Sequence, residues 1–278
     1  MDERTISRSV EITGVALQTG ALVSMTLKPA PPGTGIVFRR VDLSQPISFK
    51  LGEVLAGSSG ARRTTVGIGE GAIDTIEHFM AALWALSVDN VIVEVGGPEL
   101  PGLDGSALGF LKAVKEAGPV DQEKTKNILR VTGTVRVGND DSYVMISPSD
   151  RFSVSYTIDY PVASIGKETF GIDLTGDNFE KEIAPARTFC LKREAEALLA
   201  AGYGKGADLG NTLVMGDDGP VGNTLRFPNE PLRHKILDLV GDLYILGIPI
   251  KGAVTACKSG HRLNAELVEK IYDKYLPR

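Results

Sequence analysis

The sequence predicts an α+β fold of two similar domains, each a sheet covered by helices on one face. Apolar and polar residues alternate at the strand period early in each half, and apolar residues recur at helical spacing late in each half. A polar stretch, Gly118 to Lys126, separates the two as a linker. In the first half, strands are expected over Thr5 to Ile12, Val23 to Leu27 and Gly35 to Phe38, with turn residues from Pro29 to Thr34. A helix from about Thr75 to Leu86, a strand over Asn90 to Val95 and a helix from about Gly105 to Ala117 complete it. In the second half, strands are expected near Leu129 to Val137, Tyr143 to Ser147 and Phe152 to Asp159. A helix over Pro231 to Leu246, a strand over Lys251 to Cys257 and a helix from about Gly260 to Tyr275 then follow. Both halves thus end helix, strand, helix, which suggests an internal structural repeat without a repeat of residues. The domains are placed at 1–120 and 127–278.

Composition narrows the function classes. With 42% hydrophobic and 23% charged residues the chain is that of a soluble globular protein. A net charge of -5 argues against a nucleic-acid partner, which usually calls for a basic stripe. No apolar run reaches the 18 or so residues of a membrane span, and Met1-Asp2-Glu3-Arg4 does not open a signal peptide. The two cysteines, Cys190 and Cys257, have no metal spacing and form no disulfide framework, so a reducing cytoplasm is expected.

All 3 histidines lie beside acidic or basic residues at chemically useful spacing, which points to a zinc hydrolase. The helix from Pro231 is the best defined, with Asn229 able to cap it, Pro231 in the first turn, Gly247 at its end and Pro249 beyond. On it His234 and Asp238 are i and i+4, so their side chains leave one face a turn apart, and Asp242 continues that face. An ordinary ion pair on a surface helix accounts for the same spacing. In Asp74-Thr75-Ile76-Glu77-His78, Asp74 and Glu77 fit a capping box. The alternative is that His78 ligates zinc while Glu77 faces the water. Two histidines and one aspartate leave a fourth position open, the arrangement of a catalytic zinc, which lowers the pKa of bound water to about 7.

Five ordered segments carry a resemblance. Thr75-Ile76-Glu77-His78-Phe79-Met80-Ala81-Ala82-Leu83, Leu103-Asp104-Gly105-Ser106-Ala107 and Ala186-Arg187-Thr188-Phe189 are the first three. Arg233-His234-Lys235-Ile236-Leu237-Asp238-Leu239-Val240-Gly241-Asp242 and Lys258-Ser259-Gly260-His261 are the others. Together they resemble the UDP-3-O-acyl-N-acetylglucosamine deacetylase family, zinc enzymes of lipid A synthesis in Gram-negative bacteria, over nearly the whole chain. The resemblance implies one catalytic zinc ion held by His78, His234 and Asp238, and hence an active site between the two domains, since His78 comes from the first and the other two from the second. It makes Glu77 the general base, His261 the cation and acid toward the leaving amine, and Asp242 its orienting carboxylate. Thr188 would then donate to the oxyanion, and Lys235 would adjoin the chemistry.

For the substrate, an acylated UDP-sugar, the resemblance implies Lys258 and Lys235 near the diphosphate and Asp159 with Tyr160 near the uridine, with Phe189 also in contact. It further implies a β-α-β insertion near 189–214, whose Leu191, Leu198, Leu199, Leu209 and Leu213 would line an acyl-chain site. Plain core for a short helix accounts equally for those leucines. Two positions depart from the family pattern: Gln18 where histidine is common, and Gly210 where an acidic residue is usual. The expected reaction is zinc-dependent hydrolysis of the N-acetyl group with release of acetate. A zinc amidase acting on another acylated sugar is the nearest rival. A binding protein with zinc as a structural clamp is the rival of another class.

Overall fold

The computed structural model describes residues 1–51 and 62–276. Its first half runs β1 (Asp2–Ile6), β2 (Val10–Val15), β3 (Leu22–Pro29), β4 (Ile36–Arg40), β5 (Ile47–Lys50), β6 (Thr65–Val66) and β7 (Ile73–Asp74). Then come α1 (Glu77–Ala85), β8 (Val91–Val95), α2 (Leu108–Ala117) and β9 (Pro119–Thr125). The second half opens with β10 (Leu129–Arg130), β11 (Val135–Gly138), β12 (Tyr143–Ser147), β13 (Phe152–Asp159), β14 (Lys167–Asp173) and α3 (Gly176–Glu182). A small unit of β15 (Phe189–Leu191), α4 (Lys192–Ala200), β16 (Leu213–Gly216) and β17 (Gly219–Pro220) precedes α5 (Glu230–Tyr244), β18 (Ile250–Cys257) and α6 (His261–Tyr275).

The two main sheets share one topology. The first has the order β2-β3-β8-β4-β5, antiparallel throughout except for the parallel pair β4–β8. The second has the order β11-β12-β18-β13-β14, antiparallel except for the parallel pair β13–β18, with β10 added parallel to β18. In each, the last strand enters between the second and third of four earlier ones, and it is flanked in sequence by two helices. The repeat suggested by element order is therefore a repeat of topology. The fold is α+β.

Each central strand alternates buried and part-exposed residues, as β13 and β18 do along their length, because only one face of each sheet carries helices. The covered faces share one apolar cluster. Phe38 of the first sheet meets Phe79 of α1 edge-on at 6.2 Å, and Trp84 of the same helix reaches Phe152 of the second sheet at 5.4 Å.

Several expected elements are corrected. The strand expected from Thr5 to Ile12 is two strands, β1 and β2, which join different sheets. The polar stretch expected to be a linker is β9, paired antiparallel with β1 in a two-stranded ribbon. β9 itself is largely exposed, so its residues show no apolar alternation to be read. The strand expected over Leu129 to Val137 is broken into β10 and β11, and β5, β14 and α3 were not expected at all.

The helices α1 and α5 cross in the middle of the molecule, and one glycine sets how closely. A Cβ built on Gly241 would lie 2.0 Å from the carbonyl oxygen of Glu77, so the backbones touch where any side chain would separate them. Glu77 is the first residue of α1, and the crossing therefore presses the start of one helix onto the face of the other that carries His234, Asp238 and Asp242. Gly241→Ala should destabilise the protein by about 3 kcal/mol, the upper range for overpacking a tight core. Chemical denaturation checks this, and parental stability in that variant would mean that the crossing is not tight.

Candidate metal centre and active site

The start of α1 is not closed by the capping box. Its N-cap residue is Ile76, with no side-chain cap bond, because Thr75 takes a left-handed conformation at φ 58° and shifts the helix onward. Asp74 turns away to Arg63 at 2.9 Å and to the Thr65 hydroxyl at 2.6 Å. The Glu77 carboxylate accepts the Thr64 backbone N–H at 3.0 Å. Glu77 and His78 are thereby both buried and both reach a cavity at the crossing. On α5 the expected cap is likewise unmade: the Asn229 side chain accepts from Arg233 Nε at 2.6 Å.

His78, His234 and Asp238 place one ligand atom each within 4.8 Å of one another. Asp238 Oδ1 lies 3.6 Å from His78 Nε2 and 3.3 Å from His234 Nε2, and among the described residues it has no hydrogen-bond partner although it is buried. Such an orphaned carboxylate oxygen between two imidazole nitrogens is costly unless a cation sits among them. His234 Nδ1 faces the Ala186 carbonyl at 3.1 Å, which leaves Nε2 to point at the cluster as a ligand. Burial, aided by His78 and Lys235 and opposed by Asp238, lowers the His234 pKa to about 4, so the ring is neutral at ordinary pH. Burial alone would raise the Asp238 carboxyl, yet His234, Lys235 and His78 hold it well below the usual range. Two imidazoles with one carboxylate fit zinc in both donor type and number.

Around this cluster stand the other charged groups. Lys235 Nζ donates to Asp238 Oδ2 at 2.6 Å, and despite its burial Asp238 raises its pKa, so it stays charged. His261 opens α6 and faces two ways: Nδ1 meets Asp242 Oδ2 at 2.9 Å, and Nε2 lies 3.8 Å from Asp238 Oδ2. Burial opposes its charge, but Asp242, Asp238 and Glu77 together raise its pKa to about 9. Burial likewise pushes the Glu77 carboxyl up, against His261 and His78, toward the range where it can take and return protons.

The cavity measures about 580 Å³ and has two characters. Its polar end is formed by Glu77, His78, Thr188, His234, Asp238 and His261, while Leu191, Leu198, Leu199, Leu209 and Val214 line the other end. The segment implied to be an insertion is a β-α-β unit, with β15 and β16 parallel on either side of α4. Leu213 departs from its expected place: it packs with Val162, Leu191 and Met215 in a separate small core. Gly105, at φ +75°, explains the second motif. A Cβ there would fall 1.7 Å from the Asn211 carbonyl oxygen, and the Gly105 carbonyl accepts the Thr188 N–H at 2.8 Å, so this turn holds Thr188 at the cavity wall.

Phe189 lines the same cavity, edge-on to Tyr160 at 5.5 Å. Asp159, Tyr160, Lys235 and Lys258 border a smaller adjoining pocket of about 180 Å³, where Lys258 is part-exposed and pairs with Asp141. Gln18, the first departure from the family pattern, accepts the Gly204 N–H on its side-chain oxygen at 3.0 Å and so ties the β2–β3 turn to the inserted unit. At the second, Gly210 is exposed and donates its N–H to Asp208 at 2.7 Å.

Residues that the motifs did not single out complete the polar network. Thr64 touches Glu77, Asp242 and His261; Asn264 Nδ2 donates to Asp242 Oδ2 at 2.8 Å. Ser259 donates to Asn264 Oδ1 at 3.1 Å, and the buried Tyr156 hydroxyl donates to the Ser259 carbonyl at 2.6 Å. Asn264 lies three residues after His261 on one helix face, a spacing that marks it in the sequence. Thr64 has no such signal, since it stands just before the short strand β6 and outside every motif.

Residues 3–273 match the family model described as LpxC: UDP-3-O-acyl N-acetylglycosamine deacetylase. A UDP-3-O-acyl-N-acetylglucosamine deacetylase of Myxococcus xanthus (strain DK1622) is 41% identical over 273 residues, covering 97% of this chain and 86% of its own. Proteins of the same name from Anaeromyxobacter sp. (strain Fw109-5) and Brucella melitensis biotype 2 (strain ATCC 23457) are each 40% identical, over 97% of this chain and 88% and 94% of theirs.

The His261–Asp242 contact makes a titration prediction. A histidine whose pKa is raised on folding contributes stability that is complete below its unfolded value near 6.5 and lost as pH rises through about 9. In metal-stripped protein the His261 ring should remain protonated through neutral pH. Asp242→Asn should move its titration to lower pH, as NMR of the imidazole would record. An unmoved titration would show that Asp242 is not what holds the charge.

Proposed function

The chain belongs to the UDP-3-O-acyl-N-acetylglucosamine deacetylase family, and we propose that it hydrolyses the N-acetyl group of an acylated UDP-N-acetylglucosamine in lipid A synthesis, using one zinc ion held by His78, His234 and Asp238. The observation that carries the zinc assignment is the buried Asp238 Oδ1, unpartnered among the described residues and faced by two imidazole nitrogens. A cytoplasmic setting in a Gram-negative cell is part of this reading. Two free cysteines agree with it, and among the described residues no helix is long and apolar enough to cross a membrane.

When bound, zinc supplies a Lewis acid that activates water and polarises the acetamide carbonyl. Glu77 takes the proton of the attacking water; its burial keeps the carboxyl basic enough to do so. Thr188, fixed by the Gly105 turn, donates its hydroxyl to the carbonyl oxygen as charge grows there. Lys235 adds a positive charge beside Asp238. His261 delivers a proton from Nε2 to the leaving nitrogen while Asp242 holds Nδ1, so the amide bond breaks to acetate and the sugar amine. The acyl chain occupies the apolar end of the cavity, against α4 and the leucines around it. The diphosphate and uridine lie toward the smaller pocket with Asp159, Tyr160 and Lys258, and Phe189 stands between the two regions.

Acetate release from the acylated UDP-sugar, with metal quantified on the same sample, tests the proposal. His78→Ala and Asp238→Ala should lose both zinc and turnover, and stoichiometric zinc in either would remove that residue from the ligand set. Glu77→Ala should keep zinc and lose about 10² to 10⁴ in rate, the usual worth of a positioned acid or base. Lys258→Ala should raise KM more than it lowers kcat, the signature of lost uniform binding. Unchanged affinity for UDP in that variant would move the diphosphate elsewhere.

A further inference from the structure

Thr64 is the one described residue bonded to both sides of the acid–base pair. Its backbone N–H donates to Glu77 Oε2 at 3.0 Å, its hydroxyl donates to Asp242 Oδ1 at 2.5 Å, and the same oxygen lies 3.1 Å from His261 Nδ1. All four residues are buried. The directions of these bonds follow from the chemistry of the groups. An ionised carboxylate only accepts, so the single hydroxyl proton of Thr64 points at Asp242. The lone pairs of the hydroxyl oxygen then face His261, which must present Nδ1–H to Thr64 Oγ1 and to Asp242 Oδ2 together. His261 Nε2 is left toward Asp238 and the cavity.

The position of Thr64 is itself fixed from outside the site. The next residue, Thr65, pairs with Asp74 in the β6–β7 ribbon and bonds its carboxylate at 2.6 Å. The preceding residue, Arg63, pairs with the other oxygen of Asp74 at 2.9 Å. The Thr64 carbonyl accepts the Ile76 N–H at 3.3 Å, just ahead of α1. One short segment thus holds Glu77 from α1 while its hydroxyl holds the carboxylate of α5 that orients the first residue of α6.

We propose that Thr64 is a positioning residue, whose hydroxyl locks the Asp242–His261 pair at a fixed place relative to Glu77. The proposal rests on the deacetylase reading for its effect on rate. Its geometry stands without it. The hydroxyl bonds Asp242 and His261, and Thr64 is not part of the cavity lining, so it acts through that pair. Without it, Asp242 Oδ1 loses its donor inside the protein and the imidazole gains freedom to turn.

Three variants test this: Thr64→Val keeps the shape without the hydroxyl, Thr64→Ala leaves room for a water, and Thr64→Ser restores the hydroxyl. The expected result is a kcat at least about tenfold lower in Thr64→Val and Thr64→Ala, with zinc content and KM at parental values, and recovery of most of the rate in Thr64→Ser. Exchange of the His261 Nδ1 proton with solvent, followed by NMR, should speed up in the first two and stay slow in the third. Should Thr64→Val not fold, the comparison of Thr64→Ala with Thr64→Ser decides. A hydroxyl-free variant at parental kcat, a serine variant as slow as alanine, or a loss confined to zinc content or KM would each overturn the proposal. If the parent protein released no acetate, the deacetylase reading would fall, and the proton-exchange series would still decide the role of Thr64.

Discussion

The crossing of α1 and α5 at Gly241 is the constraint on which the rest of the structure depends. In sequence, α1 follows strands of the first sheet and α5 follows strands of the second. The residues of the candidate site are divided between them: Glu77 and His78 lie at the start of one, and His234, Asp238 and Asp242 lie on one face of the other. Contact between the Gly241 backbone and the Glu77 carbonyl brings these sets to within a few ångströms. Because the apolar cluster runs through both covered faces, the crossing is held by the same burial that stabilises the sheets.

That burial creates an electrostatic problem which the site's chemistry resolves. Glu77, Asp238 and Asp242 are three carboxyls almost without solvent, and carboxylates so placed are stable only with compensating positive charge or strong donors. Lys235 serves Asp238 and His261 serves Asp242, while Thr64 and Asn264 supply neutral donors to Asp242. Burial and neighbouring charges together set the state of the two histidines. One imidazole is pushed toward neutrality at His234 and the other toward the cation at His261, although both are buried. Metal ligation needs the first state and proton donation the second.

The inserted unit shapes the other end of the cavity by a different means. Its helix α4 has no buried residues, yet Leu198 and Leu199 face the cavity, so the helix is an apolar wall more than a part of the core. The unit is anchored to the rest by bonds at its edges: Gln18 to Gly204, Thr188 to Gly105, and the buried Arg187–Glu230 pair to the start of α5. None of His78, His234 and Asp238 lies in the unit, so the apolar wall and the candidate metal cluster are carried by separate segments.

The sequence by itself determined what depends on neighbours along the chain. The helix carrying His234, Asp238 and Asp242, the alternation in Phe152–Asp159, and the helix, strand, helix ending of each half are all written at a local period, and they are found close to the residues expected. The ordered motifs added the set of site residues, through resemblance and not through spacing. What the tertiary structure decided is whatever has no period. The exposed strand β9 has little apolar surface to alternate, so its sequence has the character of a linker although it pairs with β1. Asp74 and Glu77 have the spacing of a capping box, but the competing bonds from Arg63, Thr65 and Thr64 come from residues that only the fold brings near. Thr64 lies 178 positions from Asp242 and 197 from His261, and no regularity in a chain encodes a hydrogen bond across such a distance.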